Sequence, residues 1–256
     1  MTQQLFWSLI SGSFVAGVAA YLGTLMLSRK MAVVAGPLGH LALPGVAIAI
    51  IYGFSISLGA FPFVILGVVL IWLFEMRTKL PMEALTAIVF ATGVATAFLF
   101  LPVDEAEAAL VGNIMNVSYK EAIASITLSS MVFLIVKISY NRIMLINIYE
   151  DVAKTEGIDV KLYNFLYLLS IAIIVAFGVN LVGGLMTAAL VAIPAAASRN
   201  VSRSLGQYRV LASLFGVVSA ILGITVSFCS KLPAGPVVIL MGATIFLVTV
   251  IFSKNS

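Results

Sequence analysis

The chain has 256 residues, 62% hydrophobic and only 9% charged, with a formal net charge of +4 and a mean hydropathy of +1.18. A soluble domain of this length has too little interior to hide that much apolar side chain, so a water-soluble enzyme or nucleic-acid-binding module is excluded. The composition is that of an all-α polytopic membrane protein.

Apolar runs near 20 residues predict spans at about 5–27, 31–53, 56–74, 82–101, 122–140, 163–182, 183–198, 209–229 and 236–253. Only Val182-Gly183-Gly184 separates the sixth and seventh, and the seventh is short, so a re-entrant or broken helix is an alternative there. The expectation is a bundle of about 8–9 transmembrane helices. No composition break or linker divides the chain, so residues 1–256 are read as one transmembrane domain in a lipid bilayer. Met1-Thr2-Gln3-Gln4 carries no positive charge, and the long first run is followed by Arg29-Lys30. That pattern reads as an anchor inserted with its N-terminus outside, not as a cleaved signal peptide.

His40, in the second run, is the only acid, base or histidine deep inside any of these stretches. At 1.5 Å per residue from Met31 it lies roughly 14 Å along a helix, near the middle of a ~30 Å hydrocarbon core. An ionisable group at that depth is costly unless it faces protein or water, and imidazole is a common transition-metal ligand. The alternative is an interior histidine bonded to a neighbouring carbonyl. Pro44 and Gly45 follow at once and loosen the helical ladder, either freeing backbone carbonyls as oxygen ligands or simply kinking the helix for packing.

Two connections are long. Residues 102–121 begin Leu101-Pro102-Val103-Asp104, and their middle, Glu107 to Val117, is a candidate interfacial helix. Residues 141–162 contain Glu150-Asp151-Val152-Ala153-Lys154-Thr155-Glu156-Gly157. Acidic residues at the front and Gly157 at the back predict a helix of about two turns, which needs a docking surface to be stable. Further along, Asn180 and Thr187 flank the Gly183-Gly184 break; they are candidates to line a path or to satisfy local backbone groups. The lone Cys229 reads as apolar filler near a helix end.

With the N-terminus outside, 12 of the 14 basic residues fall on the inner side, and only Lys120 and Lys231 fall outside. This is the positive-inside distribution, and it accounts for the net charge without a nucleic-acid partner.

Asp151, Ala153 and Gly157 form the pattern acidic-x-Ala-x-x-x-Gly, which resembles the cytoplasmic coupling motif of ABC importer permeases. Four further stretches occur with it: Gly39-His40-Leu41-Ala42-Leu43-Pro44-Gly45, Gly112-Asn113-Ile114-Met115-Asn116-Val117-Ser118, Ile193-Pro194-Ala195-Ala196-Ala197-Ser198-Arg199 and Leu232-Pro233-Ala234-Gly235-Pro236. In this order and spacing the chain resembles the permease subunit of ABC-type zinc/manganese/iron importers, the ABC-3 family, over nearly its whole length. The resemblance implies a plasma-membrane permease pairing as a homodimer or with a paralogue. It also implies a cytosolic ABC ATPase docked on residues 150–159 and an extracytoplasmic metal-binding protein that delivers the ion. No cofactor would be held permanently; zinc, manganese or iron would pass through, with His40 as a ligand. The family usually carries an aspartate four residues before the histidine, and here that position is Gly36. Its loss removes a charged oxygen ligand and should matter more for manganese than for zinc.

No G-x-x-x-x-G-K-[ST] is present, so ATP hydrolysis is expected from a partner, and one histidine cannot build a Ser/His/Asp set. An ATP-independent secondary transporter or channel for small cations is the rival reading. It would be expected to carry a membrane-buried carboxylate for ion coupling, and none is visible.

Overall fold

A computed structural model describes residues 2–28, 39–54, 56–78, 80, 82–99, 117–183 and 187–252. Ten α-helices form among them: α1 (Thr2–Ser28), α2 (Leu43–Tyr52), α3 (Ile56–Arg77), α4 (Met82–Phe98), α5 (Tyr119–Ile148), α6 (Glu150–Thr155), α7 (Val160–Val182), α8 (Thr187–Val201), α9 (Leu205–Ser230) and α10 (Ala234–Ile251). Six of these, α1, α3, α5, α7, α9 and α10, are long and apolar enough to cross a membrane.

Helix α1 is the central element, packing on α5, α7, α8 and α9. Its stretch from Val15 to Met26 is almost wholly buried. Helices α8, α9 and α10 contact one another, while α2, α3 and α4 form a second group joined to the rest through α3 and α7. Small residues allow these approaches, as membrane helices of similar apolarity to lipid require close van der Waals contact to associate. A Cβ added at Gly216 of α9 would lie 2.5 Å from the Ala16 carbonyl oxygen, and one at Gly23 would strike the backbone of Val191 in α8.

Side-chain contacts set the helix directions. Trp7 meets Tyr119 at one end of α1 and α5, with ring centroids 4.7 Å apart. At the other end Asn147 Nδ2 donates to the Leu25 carbonyl at 3.1 Å. The two helices are therefore parallel. Arg142, near the end of α5, contacts Tyr163 at the start of α7, and Arg209, at the start of α9, stacks 5.2 Å from the Tyr140 ring. Both α7 and α9 thus begin where α1 and α5 finish. Helix α8 makes the return journey: Thr187 sits against Gly178 near the end of α7, while Ser198 Oγ donates to the Tyr208 carbonyl at 2.6 Å.

Three sequence expectations are corrected. The fifth span does not stop at Tyr140, because α5 continues to Ile148, and residues 141–148 are helical. Asn141-Arg142 looked like the start of a loop, but Ile143, Met144 and Ile146 are buried and prolong the apolar stripe. At its front end a capping box holds the helix: Ser118 Oγ accepts from the Glu121 amide and the Glu121 carboxylate accepts from the Ser118 amide, so Tyr119–Glu121 leave the expected outer loop. Third, the second span is not one helix across 31–53. A turn at Leu41-Ala42 separates a helical Gly39-His40 from α2. The first part of this span, Gly36 included, and the candidate interfacial helix up to Asn116 lie outside the described residues.

Candidate functional site

The turn before α2 has a cause in Pro44. A continuous helix through 40–48 would drive the proline ring against the carbonyl of His40 and leave that bond without a donor, at about 3 kcal/mol. Breaking at Leu41-Ala42 instead places Pro44 in the first turn of α2, where no N–H is needed. Val46 N–H then reaches the Ala42 carbonyl at 2.9 Å. His40 consequently sits at a helix break, half-buried, with its ring edge-on to Phe90 of α4 at 5.3 Å and 84°.

Neighbouring residues hold this break in place. Leu41 is 4% exposed, and its side chain fills the space that a Cβ at Gly67 of α3 would occupy, 2.5 Å from Cδ1. The same side chain lies 3.0 Å from the Cβ position of Gly93 in α4. Gly45 and Gly59 face each other so closely that a Cβ on either would collide with the other's carbonyl. Gly45 is thus the contact point of α2 with α3. Pro44 is buried and lines an apolar cleft of about 400 Å³ with Leu41, Phe63, Gly67 and Gly93.

Thr187 is fully buried, and its Oγ1 donates to the Gly183 carbonyl at 2.7 Å. Gly183 itself adopts φ +84° and ends α7. Thr187 therefore satisfies the backbone at the break between α7 and α8. Asn180 lies in the last turn of α7, two residues after the Gly178 that Thr187 packs on. His40 stands beside Phe90 of α4, whereas Thr187 stands against Gly178 of α7. Among the described residues no group of three or more His, Cys, Asp or Glu converges to hold a metal.

At the opposite functional segment, α6 has six residues. Asp151 has a fully exposed side chain, whereas Ala153 is wholly buried. Helix α6 contacts α5 and α7. Glu150 and Asp151 open the helix, and Lys154 closes on Glu150 at 2.8 Å. The hydrogen bond and charge of Glu150, and then Asp151, raise the Lys154 ammonium above its ordinary pKa, so it stays charged at neutral pH. Gly157 follows with φ +75°, the left-handed residue that commonly ends a helix, while Ile158 N–H returns to the Ala153 carbonyl at 3.0 Å. Tyr149 and Val152 are exposed beside Asp151.

Sequence reasoning missed one cluster. Arg209, read only as an inner-flank charge, stacks on Tyr140, whose ring meets Tyr21 edge-on at 5.3 Å in the α1–α5–α9 contact. Thr24 Oγ1 donates to the Tyr21 carbonyl at 2.7 Å and lies 3.0 Å from the Tyr140 hydroxyl, which leaves Tyr140 as donor. The signal available was Tyr21 and Thr24 at i, i+3 on one face of an apolar run. Glu75 of α3, also passed over, accepts from Asn164 Nδ2 of α7 at 3.5 Å.

The helices, their directions and their apolar faces define a polytopic helical membrane protein. The chain belongs to the ABC 3 transport family, whose model matches residues 1–253. It is 25% identical over 252 residues to the "Manganese transport system membrane protein MntC" of Listeria monocytogenes, covering 97% of this chain and 90% of that one. It is likewise 25% identical over 246 residues to the "Manganese import system permease protein ScaB" of Streptococcus gordonii, covering 94% and 88%. Among solved structures, it is similar in fold to PsaBC from Streptococcus pneumoniae in complex with Fab. That match has a TM-score of 0.80 at 24% identity and covers 94% of this chain and 89% of that one.

Proposed function

We propose that this chain is the membrane permease subunit of an ATP-driven importer of divalent transition-metal ions, zinc, manganese or iron. The carrying observation is family membership across residues 1–253, joined to relatives of nearly the same length named for manganese import. The whole chain acts as one permease domain in the plasma membrane, pairs with a second permease, and receives the ion from an extracytoplasmic metal-binding protein. A cytosolic ABC ATPase drives it. The test is reconstitution: metal uptake into proteoliposomes should require this chain, the ATPase and ATP together. Uptake that persists without ATPase would favour a secondary transporter and defeat the proposal.

Nine crossings fit the helix directions. Parallel α1 and α5 require an odd number of crossings between them, matching the three runs at 31–53, 56–74 and 82–101. Because α7 and α9 start at the same end, the 15-residue α8 must cross once despite its length of ~22 Å. Asn200 Nδ2 donates to Thr249 Oγ1 at 3.2 Å, so α10 finishes at the end where α8 does. With the basic end inside, the N-terminus is outside and the C-terminus inside. In a Cys229→Ser background, single cysteines at Asp104 and Ser230 should label from outside, and those at Lys154 and Ser202 only from inside. Labelling of Asp104 and Lys154 from one side would break the count.

Within this scheme His40 is a ligand on the path, and α6 with Asp151, Ala153 and Gly157 is the segment that seats the ATPase. Exposed Asp151, Val152 and Tyr149 supply the contact surface, and buried Ala153 anchors it to the bundle. Pro44 and Gly45 shape the break beside the ligand, while Thr187 holds the Gly183 carbonyl where α7 ends.

A further inference from the structure

Where α1, α5 and α8 finish and α9 begins, the helix ends line an open cavity of about 680 Å³. Its polar lining is Ser28, Arg199, Ser202, Arg203, Ser204 and Tyr208, and among the described residues no carboxylate lines it. Among the described residues neither arginine forms an ion pair with Asp or Glu. Arg209 adds a third positive charge one turn into α9, behind Tyr208. Tyr208 is 7% exposed, and its hydroxyl has no hydrogen-bond partner among the described residues.

This concentration of positive charge repels a departing divalent cation, so the cavity is not a way out for metal; it suits an anion. Its apolar lining is Met144, which is buried, with Ile148 and Leu205, which are 52% and 55% exposed. Guanidinium groups at helix ends next to exposed aliphatic side chains match a phosphate joined to hydrocarbon, and basic pockets between membrane helices on the cytoplasmic side bind such headgroups. We propose that this cavity binds the headgroup phosphate of an anionic phospholipid of the inner leaflet. The proposal rests on the orientation given above, with the basic end inside. It uses none of the residues assigned to metal or to ATPase coupling.

Full-length protein in nanodiscs of phosphatidylcholine mixed with phosphatidylglycerol, followed by native mass spectrometry of retained lipid, tests this without metal, ATP or a partner. Failure here would leave the transport reading intact, and failure of uptake would leave this site intact. R199Q/R203Q should retain phosphatidylglycerol roughly thirtyfold less well, about fivefold per arginine. R199K/R203K, which keeps both charges, should recover most of that loss and shows that the cavity still folds. Inorganic phosphate at constant ionic strength should not displace the lipid. Equal retention by wild type and R199Q/R203Q would overturn the proposal, as would a folded lysine pair that retains no more than the glutamine pair. Displacement by inorganic phosphate would assign the cavity to a soluble anion and remove the lipid.

Discussion

His40→Ala should abolish metal uptake in proteoliposomes while the protein is expressed and inserted as wild type. The residue sits at a helix break made by Pro44, its ring is half-buried, and it meets Phe90 edge-on. Truncating it removes the one imidazole of the chain, and expression and insertion are measured beside uptake so that a folding defect is told apart from loss of the ligand. Gly36→Asp would restore the aspartate of the family pattern at i−4. It should tighten metal binding and slow release, because conduction needs an ion that can also leave. Uptake by His40→Ala equal to wild type would make His40 structural and move the ligand elsewhere.

Ala153→Arg and Gly157→Leu should separate ATP hydrolysis from transport: the ATPase still turns over, and uptake is lost. The two act by different physics. Ala153 has no exposed surface, so an arginine there must either bury an unpaired charge or push α6 off α5 and α7, and the second is cheaper. At Gly157 a Cβ would touch nothing within 4 Å, and the whole cost is the left-handed backbone at φ +75°, about 1–2 kcal/mol for a residue with a side chain. That is enough to unwind a six-residue helix that cannot stand alone. The arginine variant should therefore be the more severe. Gly157→Asn, which tolerates the left-handed region, should retain most activity. Measurement of ATPase rate and metal uptake on the same vesicles decides it; normal coupling in both severe variants would detach α6 from the ATPase.

Much of this was legible before any coordinates. Apolar run length alone places α1, α3, α5, α7, α9 and α10, because a segment that must satisfy its backbone in hydrocarbon has little choice but helix. The acidic front and Gly157 located α6 because capping is local chemistry, readable within about eight residues. Pro44 was recognised as a disturbance for the same reason. Its consequence was not: whether a proline bends a helix or ends up in the first turn of a new one depends on what can fill the turn. Here Leu41 fills it by dropping into the gap between Gly67 and Gly93, residues 26 and 52 positions away. The extension of α5 past Tyr140 likewise needed neighbours to bury Ile143, Met144 and Ile146.

By itself, then, the sequence determined what each segment is: membrane helix, connection, capped turn, and family. Those properties follow from hydrophobicity, charge and capping, which act between near neighbours along the chain. Only the tertiary structure decided what each residue meets. It made Gly45 a contact with Gly59, turned Thr187 onto the Gly183 carbonyl, and gathered Arg209, Tyr21, Thr24 and Tyr140 from three helices into one polar cluster. It also set Arg199 and Arg203 around one cavity. The reason is that helices in lipid gain almost nothing from apolarity when they associate, so their partners are chosen by shape and by a few buried hydrogen bonds, and complementarity of shape between distant segments is not written in either segment alone.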